Sequence, residues 1–160
     1  MYELKNYLLS MRSHWMVHQP TYQAVQETLP LITKYQAAKG IEKLGNTPAK
    51  KICRQVFPEI YTFPLFRRQW CKFMVEEIEL MRKELAFEAN EDEDVLRQIP
   101  EIVLKTECPA LYRNMWFVAR TVINPMIMSL WQRDCADPAT IQIANYNIVD
   151  KKQGAWHHDE

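Results

Sequence analysis

The chain has no net charge: 20 Lys and Arg are matched by 20 Asp and Glu in 160 residues. That excludes, for the chain as a whole, the basic footprint by which a nucleic-acid binder is recognised. The basic pairs Lys50-Lys51 and Arg67-Arg68 are short and read as solvated surface, not as a phosphate site. No apolar run approaches the roughly 20 residues that cross a bilayer, so no membrane partner is expected. The start, Met1-Tyr2-Glu3-Leu4-Lys5, carries charges and no apolar stretch, which predicts no secretory signal and a cytoplasmic location. Cys53, Cys71, Cys108 and Cys135 include no Cys-x-x-Cys pair, so the close spacing of a structural zinc site is missing. Without a signal peptide those thiols are expected to be reduced. There is no internal repeat and no low-complexity tract. What is there is ordinary globular composition, 48% hydrophobic and 25% charged, long enough to bury one core.

Along the chain, residues 1–50 read as a helical N-terminal extension. Leu4, Tyr7, Leu8, Met11 and Trp15 have near-helical spacing, and Pro20 suits the first turn of a second helix. Gly40 and Gly45 are plausible stops, and Gly45-Asn46-Thr47-Pro48 reads as a loop. Residues 55–66 are aromatic and β-branched but hold Pro58 and Pro64, so they are expected to be extended at a sheet edge or in a crossing loop. From Arg67 to about Phe87, the stripe Trp70, Met74, Ile78, Met81 and Leu85 predicts a helix, with Lys72, Glu76, Glu77 and Lys83 on its other sides. The acidic run Glu88 to Asp94 reads as a solvated loop without the glycine of an EF-hand. A short strand over 99–106 and a helix from Pro109 to about Trp131, kinked at Asn124-Pro125, follow. Thr140 to Ile148 alternates, with Ile141 and Ile143 on one side and Gln142, Ala144 and Tyr146 on the other, which predicts a strand. A turn at 150–154 leads to a second strand at Ala155-Trp156-His157-His158-Asp159-Glu160.

That last stretch carries the chemistry. In a strand, residues two apart share a face, so His157 and Asp159 can reach one ion while His158 points away. An imidazole and a carboxylate are two members of the 2-His-1-carboxylate triad, which leaves positions on Fe(II) for a cosubstrate and oxygen. A shifted register using His158 and Glu160 is the physical alternative. His14 and His18 are the only other histidines; four apart on a helix they could chelate, but read as surface or core residues.

With these residues in view, the stretch from about Val56 resembles the catalytic domain of the procollagen lysyl hydroxylases and their prolyl hydroxylase relatives. Val56-Phe57-Pro58-Glu59-Ile60-Tyr61-Thr62-Phe63-Pro64-Leu65-Phe66 with Trp70-Cys71 resembles its opening strand and helix. Ile99-Pro100-Glu101-Ile102 resembles the segment before its second long helix, and Ile141 to Tyr146 a strand ending in tyrosine. His157-His158-Asp159 resembles the family's His-x-Asp motif. The resemblance preserves order and spans about two-thirds of the chain, residues 1–50 excepted.

The resemblance implies an α+β fold: a helical N-terminal part followed by the first strands of a double-stranded β-helix, or jelly roll. Residues 51–160 would be the front of the catalytic domain. It implies an iron(II)- and 2-oxoglutarate-dependent dioxygenase, with ascorbate as an accessory reductant. A prolyl or lysyl side chain of a peptide or protein would be the substrate, and a homo-oligomer is compatible. His157 and Asp159 would ligate iron, and Tyr146 matches a position near the 2-oxoglutarate pocket, with packing on the sheet as its other reading. The family's second histidine ligand and its basic residue for the far carboxylate of 2-oxoglutarate do not follow Asp159 here. The expectation is therefore a fragment with an incomplete jelly roll, inactive alone. The rival reading is a noncatalytic helical interaction domain.

Overall fold

The computed structural model describes residues 1–10, 13–38, 43–85 and 101–144. Helix α1 (Gln19–Ala37) begins as expected, with Pro20 in its first turn. It buries Thr21, Ala24, Val25, Thr28 and Ile32, spaced by three, one, three and four, which is one helical face. After the loop, Thr47 caps the short helix α2 (Pro48–Lys51) by accepting a hydrogen bond from the Lys50 amide at 3.1 Å. Thr28 ties the two helices together: its hydroxyl donates to the Ala24 carbonyl at 2.7 Å and accepts from the Ala49 amide at 2.9 Å.

The proline-containing segment forms its own antiparallel hairpin, β1 (Arg54–Phe57) and β2 (Ile60–Thr62). Pro58 sits in the turn, where its missing N–H costs no ladder bond. Glu59 completes the turn at φ 62°, and the register is irregular between Gln55 and Phe57. Val56, Phe57 and Ile60 are exposed, while Tyr61 packs edge-on against Trp131 at 5.5 Å. The following residues rejoin the N-terminal part: Val17 bridges Phe66, His18 N–H donates to Leu65 O, and Arg67 N–H donates to Met16 O.

Helix α3 (Arg68–Glu84) follows the expected stripe, with Trp70, Met74 and Met81 buried and Ile78 half-buried. Glu77 departs from expectation: it is 1% exposed, on the core side. A three-residue strand, β3 (Glu101–Val103), runs straight into helical turn α4 (Leu104–Glu107) and then α5 (Pro109–Val118). The kink expected at Asn124-Pro125 is taken up by a wide π turn over Ala119–Ile123, after which α6 (Asn124–Trp131) continues. Proline offers no N–H and its ring collides with the preceding turn, and an extra residue in that turn relieves both. Strand β4 (Gln142–Ala144) pairs antiparallel with β3, setting Ile143 opposite Ile102 and Gln142 opposite Val103.

The expected helix over Tyr2 to Trp15 does not form. Two 3-10 turns, Tyr7–Ser10 and Ser13–Trp15, take its place. The amides of Lys5 and Asn6 bond to Glu77, and the Leu8 amide bonds to the Asn6 side chain, so they are drawn away from a helical ladder. Tyr2, Leu9, Met16, Val17 and Val25 share one buried cluster with Trp70, Met81, Leu104, Leu111 and Val122. Residues before 50 and after it therefore fill the same core. The described residues are helices with two small antiparallel sheets, an α+β arrangement; no jelly roll is present among them.

Candidate metal site and its framework

His157 and Asp159 lie outside the described residues, as do Tyr146, His158 and Glu160. The acidic run 88–94 lies outside them too. What is described is the framework in front of the motif. Strand β4, the expected strand, holds its place through β3 and through the Leu104 amide, which donates to Ile141 O at 2.9 Å. Ile102 is buried and Ile143 half-buried, so the pair presents an apolar side to the helices and their core cluster.

The histidines at the other end do not form a site. His14 is exposed, with its ring tilted against Tyr22 at 6.3 Å. His18 Nδ1 lies 3.1 Å from Thr21 Oγ1, and that hydroxyl spends its single proton on Pro64 O at 2.5 Å. His18 Nδ1 therefore carries the proton and donates to Thr21, a structural role at the start of α1. Among the described residues no group of three His, Cys, Asp or Glu side chains is arranged to hold a metal.

Nor do the thiols form a nucleophilic centre. Burial pushes the Cys108 thiol up from its ordinary range, and burial does the same at Cys53, so both stay protonated and inert near neutrality. A crevice of about 150 Å³ lies between α1 and α6, walled by Ile32, Pro125 and Met128 and rimmed by Gln36, Arg120 and Asp134. Its rim groups engage one another or their neighbours: Gln36 Nε2 donates to Asp134 at 3.2 Å, and Arg120 lies 3.8 Å from Asp137 and over the Trp116 ring.

One polar centre was not anticipated. Glu77 Oε1 accepts from Tyr2 Oη at 2.8 Å and from the Lys5 amide at 2.6 Å, and Oε2 accepts from the Asn6 amide at 3.0 Å. A carboxylate with three donors is satisfied despite burial. Burial, with Glu77 beside it, pushes the Tyr2 phenol well above its ordinary range. The signal in the sequence was position alone: 77 continues the Trp70, Met74, Met81 stripe better than Ile78 does.

Comparison with protein-family models, with curated proteins and with solved structures finds no match to this chain in any of the three.

Proposed function

We propose that this chain carries the front part of an iron(II)- and 2-oxoglutarate-dependent dioxygenase that hydroxylates a prolyl- or lysyl-type side chain in a peptide or protein. The observation that supports it is strand β4. It follows the long helices, pairs with β3, and leads in sequence to His157-His158-Asp159. This order of helices, strand and His-x-Asp is the order of the family that the sequence resembles.

The donor set fits the metal. A neutral imidazole and an ionised carboxylate give iron(II) one nitrogen and one oxygen ligand, and the carboxylate offsets part of the metal's charge. When bound, iron with 2-oxoglutarate and oxygen supplies the oxidising power for inserting a hydroxyl into a C–H bond. His157 and Asp159 fix where that happens. Tyr146 contributes a phenol O–H that can donate to a carboxylate of 2-oxoglutarate.

The test uses Mn(II), which binds like iron(II) without turnover, together with 2-oxoglutarate. Binding is followed by electron paramagnetic resonance in the wild type and in the double variant His157→Ala/Asp159→Ala. Affinity at least about tenfold weaker in the variant is expected. Equal affinity removes the oxygenase reading. A noncatalytic interaction domain would then stand, with the exposed Val56, Phe57 and Ile60 of the hairpin as its apolar surface.

A further inference from the structure

The buried carboxylate of Glu77 plays no part in the proposed chemistry, and all three groups that bond to it come from residues 2–6. The same segment is fastened at two more points. The Tyr2 amide donates to Glu107 O at 2.5 Å, and Asn114 Nδ2 donates to Leu9 O at 2.6 Å. Apart from the single 3-10 turn Tyr7–Ser10, the segment has no regular backbone ladder, so its attachment rests on these ties, on the exposed Lys5–Glu84 ion pair and on the buried Tyr2 and Leu9. Segments of this kind open locally at lower free energy than the packed helices beneath them.

Beneath the segment lie α3 and the start of α5. Cys108, 0% exposed, follows Glu107, whose carbonyl takes the Tyr2 amide, and it shares one buried cluster with Tyr2 and Leu9. The charged groups paired around the segment are Lys5 with Glu84 and the Met1 ammonium with Glu107, the latter at 3.5 Å. Lys5 Nζ lies 3.3 Å from Glu84 on the exposed side and 5.4 Å from the Tyr2 ring centre. Among the described residues, Glu77 is the side chain that holds three donors of the segment at once.

We propose that residues 2–9 form a releasable strap, latched by the Glu77 carboxylate, whose opening uncovers the Cys108 thiol and the apolar floor between α3 and α5. Glu77→Gln tests the latch. The amide keeps one acceptor oxygen and turns an N–H₂ toward a backbone N–H, so at least one donor loses its partner. Tyr2→Phe removes a single bond and leaves the carboxylate and its two amide donors in place.

Alkylation of Cys108 by N-ethylmaleimide, read peptide by peptide by mass spectrometry, reports opening; exposed Cys71 and Cys135 serve as internal controls. Amide hydrogen exchange across residues 2–9 and α5 runs in parallel. Cys108 is expected to react about 10-fold faster in Tyr2→Phe and up to about 100-fold faster in Glu77→Gln, the range set by losing one or more hydrogen bonds to a charged group. Amides of α5 should keep their protection in both. Unchanged Cys108 reactivity in the two variants overturns the proposal. So does opening of the strap and α5 together, since that is unfolding of the whole core. If Glu77→Gln does not fold, Tyr2→Phe decides alone.

Discussion

Thr28 offers a sharp test of how the helical layer is joined. Its hydroxyl is fully buried, donates to Ala24 O within α1, and is the acceptor for the Ala49 amide in the first turn of α2. That amide has no partner inside its own helix, because the first N–H groups of a helix never do. Thr28→Val keeps the shape and nearly the same helix propensity but strands a buried N–H, at a cost of about 2 kcal/mol. Thr28→Ser keeps the hydroxyl and loses a buried methyl, about 1 kcal/mol. Thr28→Ala loses both and should cost about 3 kcal/mol, close to the sum. In a chain of this size each kcal/mol lowers the melting temperature by about 2–4 °C, so the valine variant should melt about 4–8 °C early. Circular dichroism at 222 nm with urea titration measures all three. The reasoning is refuted if Thr28→Val matches wild type within about 0.5 kcal/mol, leaving alanine no worse than serine.

Glu59→Gly should stabilise by about 0.5–1 kcal/mol and Glu59→Val destabilise by about 1–2, because Glu59 holds a left-handed φ of 62° that glycine adopts freely; urea midpoints give both. Tyr2, whose phenol is raised by burial and by Glu77, binds its proton more tightly folded than unfolded. Its contribution is therefore complete below about pH 10 and is lost as pH climbs through the folded value, so Tyr2→Phe should lose less stability than wild type between neutral and strongly alkaline pH. Absorbance at 295 nm should show one of the seven tyrosines titrating late in the wild type and missing from the variant. Ile143→Thr should weaken the pairing with Ile102 by about 0.5–1 kcal/mol and lower Mn(II) affinity with it, and His157→Ala should lower that affinity directly. An Ile143→Thr protein that loses stability but binds Mn(II) as before would detach the strand from the candidate site.

Much of the framework was readable because local pattern and tertiary demand coincide there. Trp70, Met74 and Met81 recur at helical spacing and are the residues that α3 buries; Ile141 and Ile143 alternate, and β4 forms. The hairpin was readable only as extended chain, because its turn uses Pro58-Glu59 and lacks the glycine or asparagine that marks a tight turn. Glu77 could not be read from charge: its burial is made acceptable by donors some seventy residues earlier, and no local window contains both. The same long-range tie explains the failure at residues 2–15, where real amphipathic spacing is overridden by amides that bond to α3. The proline at 125 was visible and its accommodation was not, since a kink and a wide turn answer the same missing N–H. For the candidate site, the sequence supplies the donor types and their spacing, and the structure supplies the strand that precedes them.

The shared core decides how the two functional readings can be separated. Tyr2, Leu9, Met16 and Val25 pack in one cluster with Trp70, Leu111 and Val122, so a shortened protein starting near residue 51 would lose packing partners of α3 and α5 and expose the apolar faces they cover. Loss of metal binding in such a protein would then say nothing about His157 or Asp159. Point substitutions in the whole chain avoid this, because the two readings depend on different residues. The oxygenase reading depends on an imidazole and a carboxylate after β4; the interaction reading depends on the apolar hairpin, where Phe57 is 69% exposed. Phe57→Ser should therefore leave Mn(II) binding intact under the first reading and abolish partner binding under the second, while His157→Ala/Asp159→Ala should do the reverse. Phe57 lies outside the buried cluster, so its effect can be assigned to the surface that was altered, and the melting temperature of each variant checks that the fold is kept.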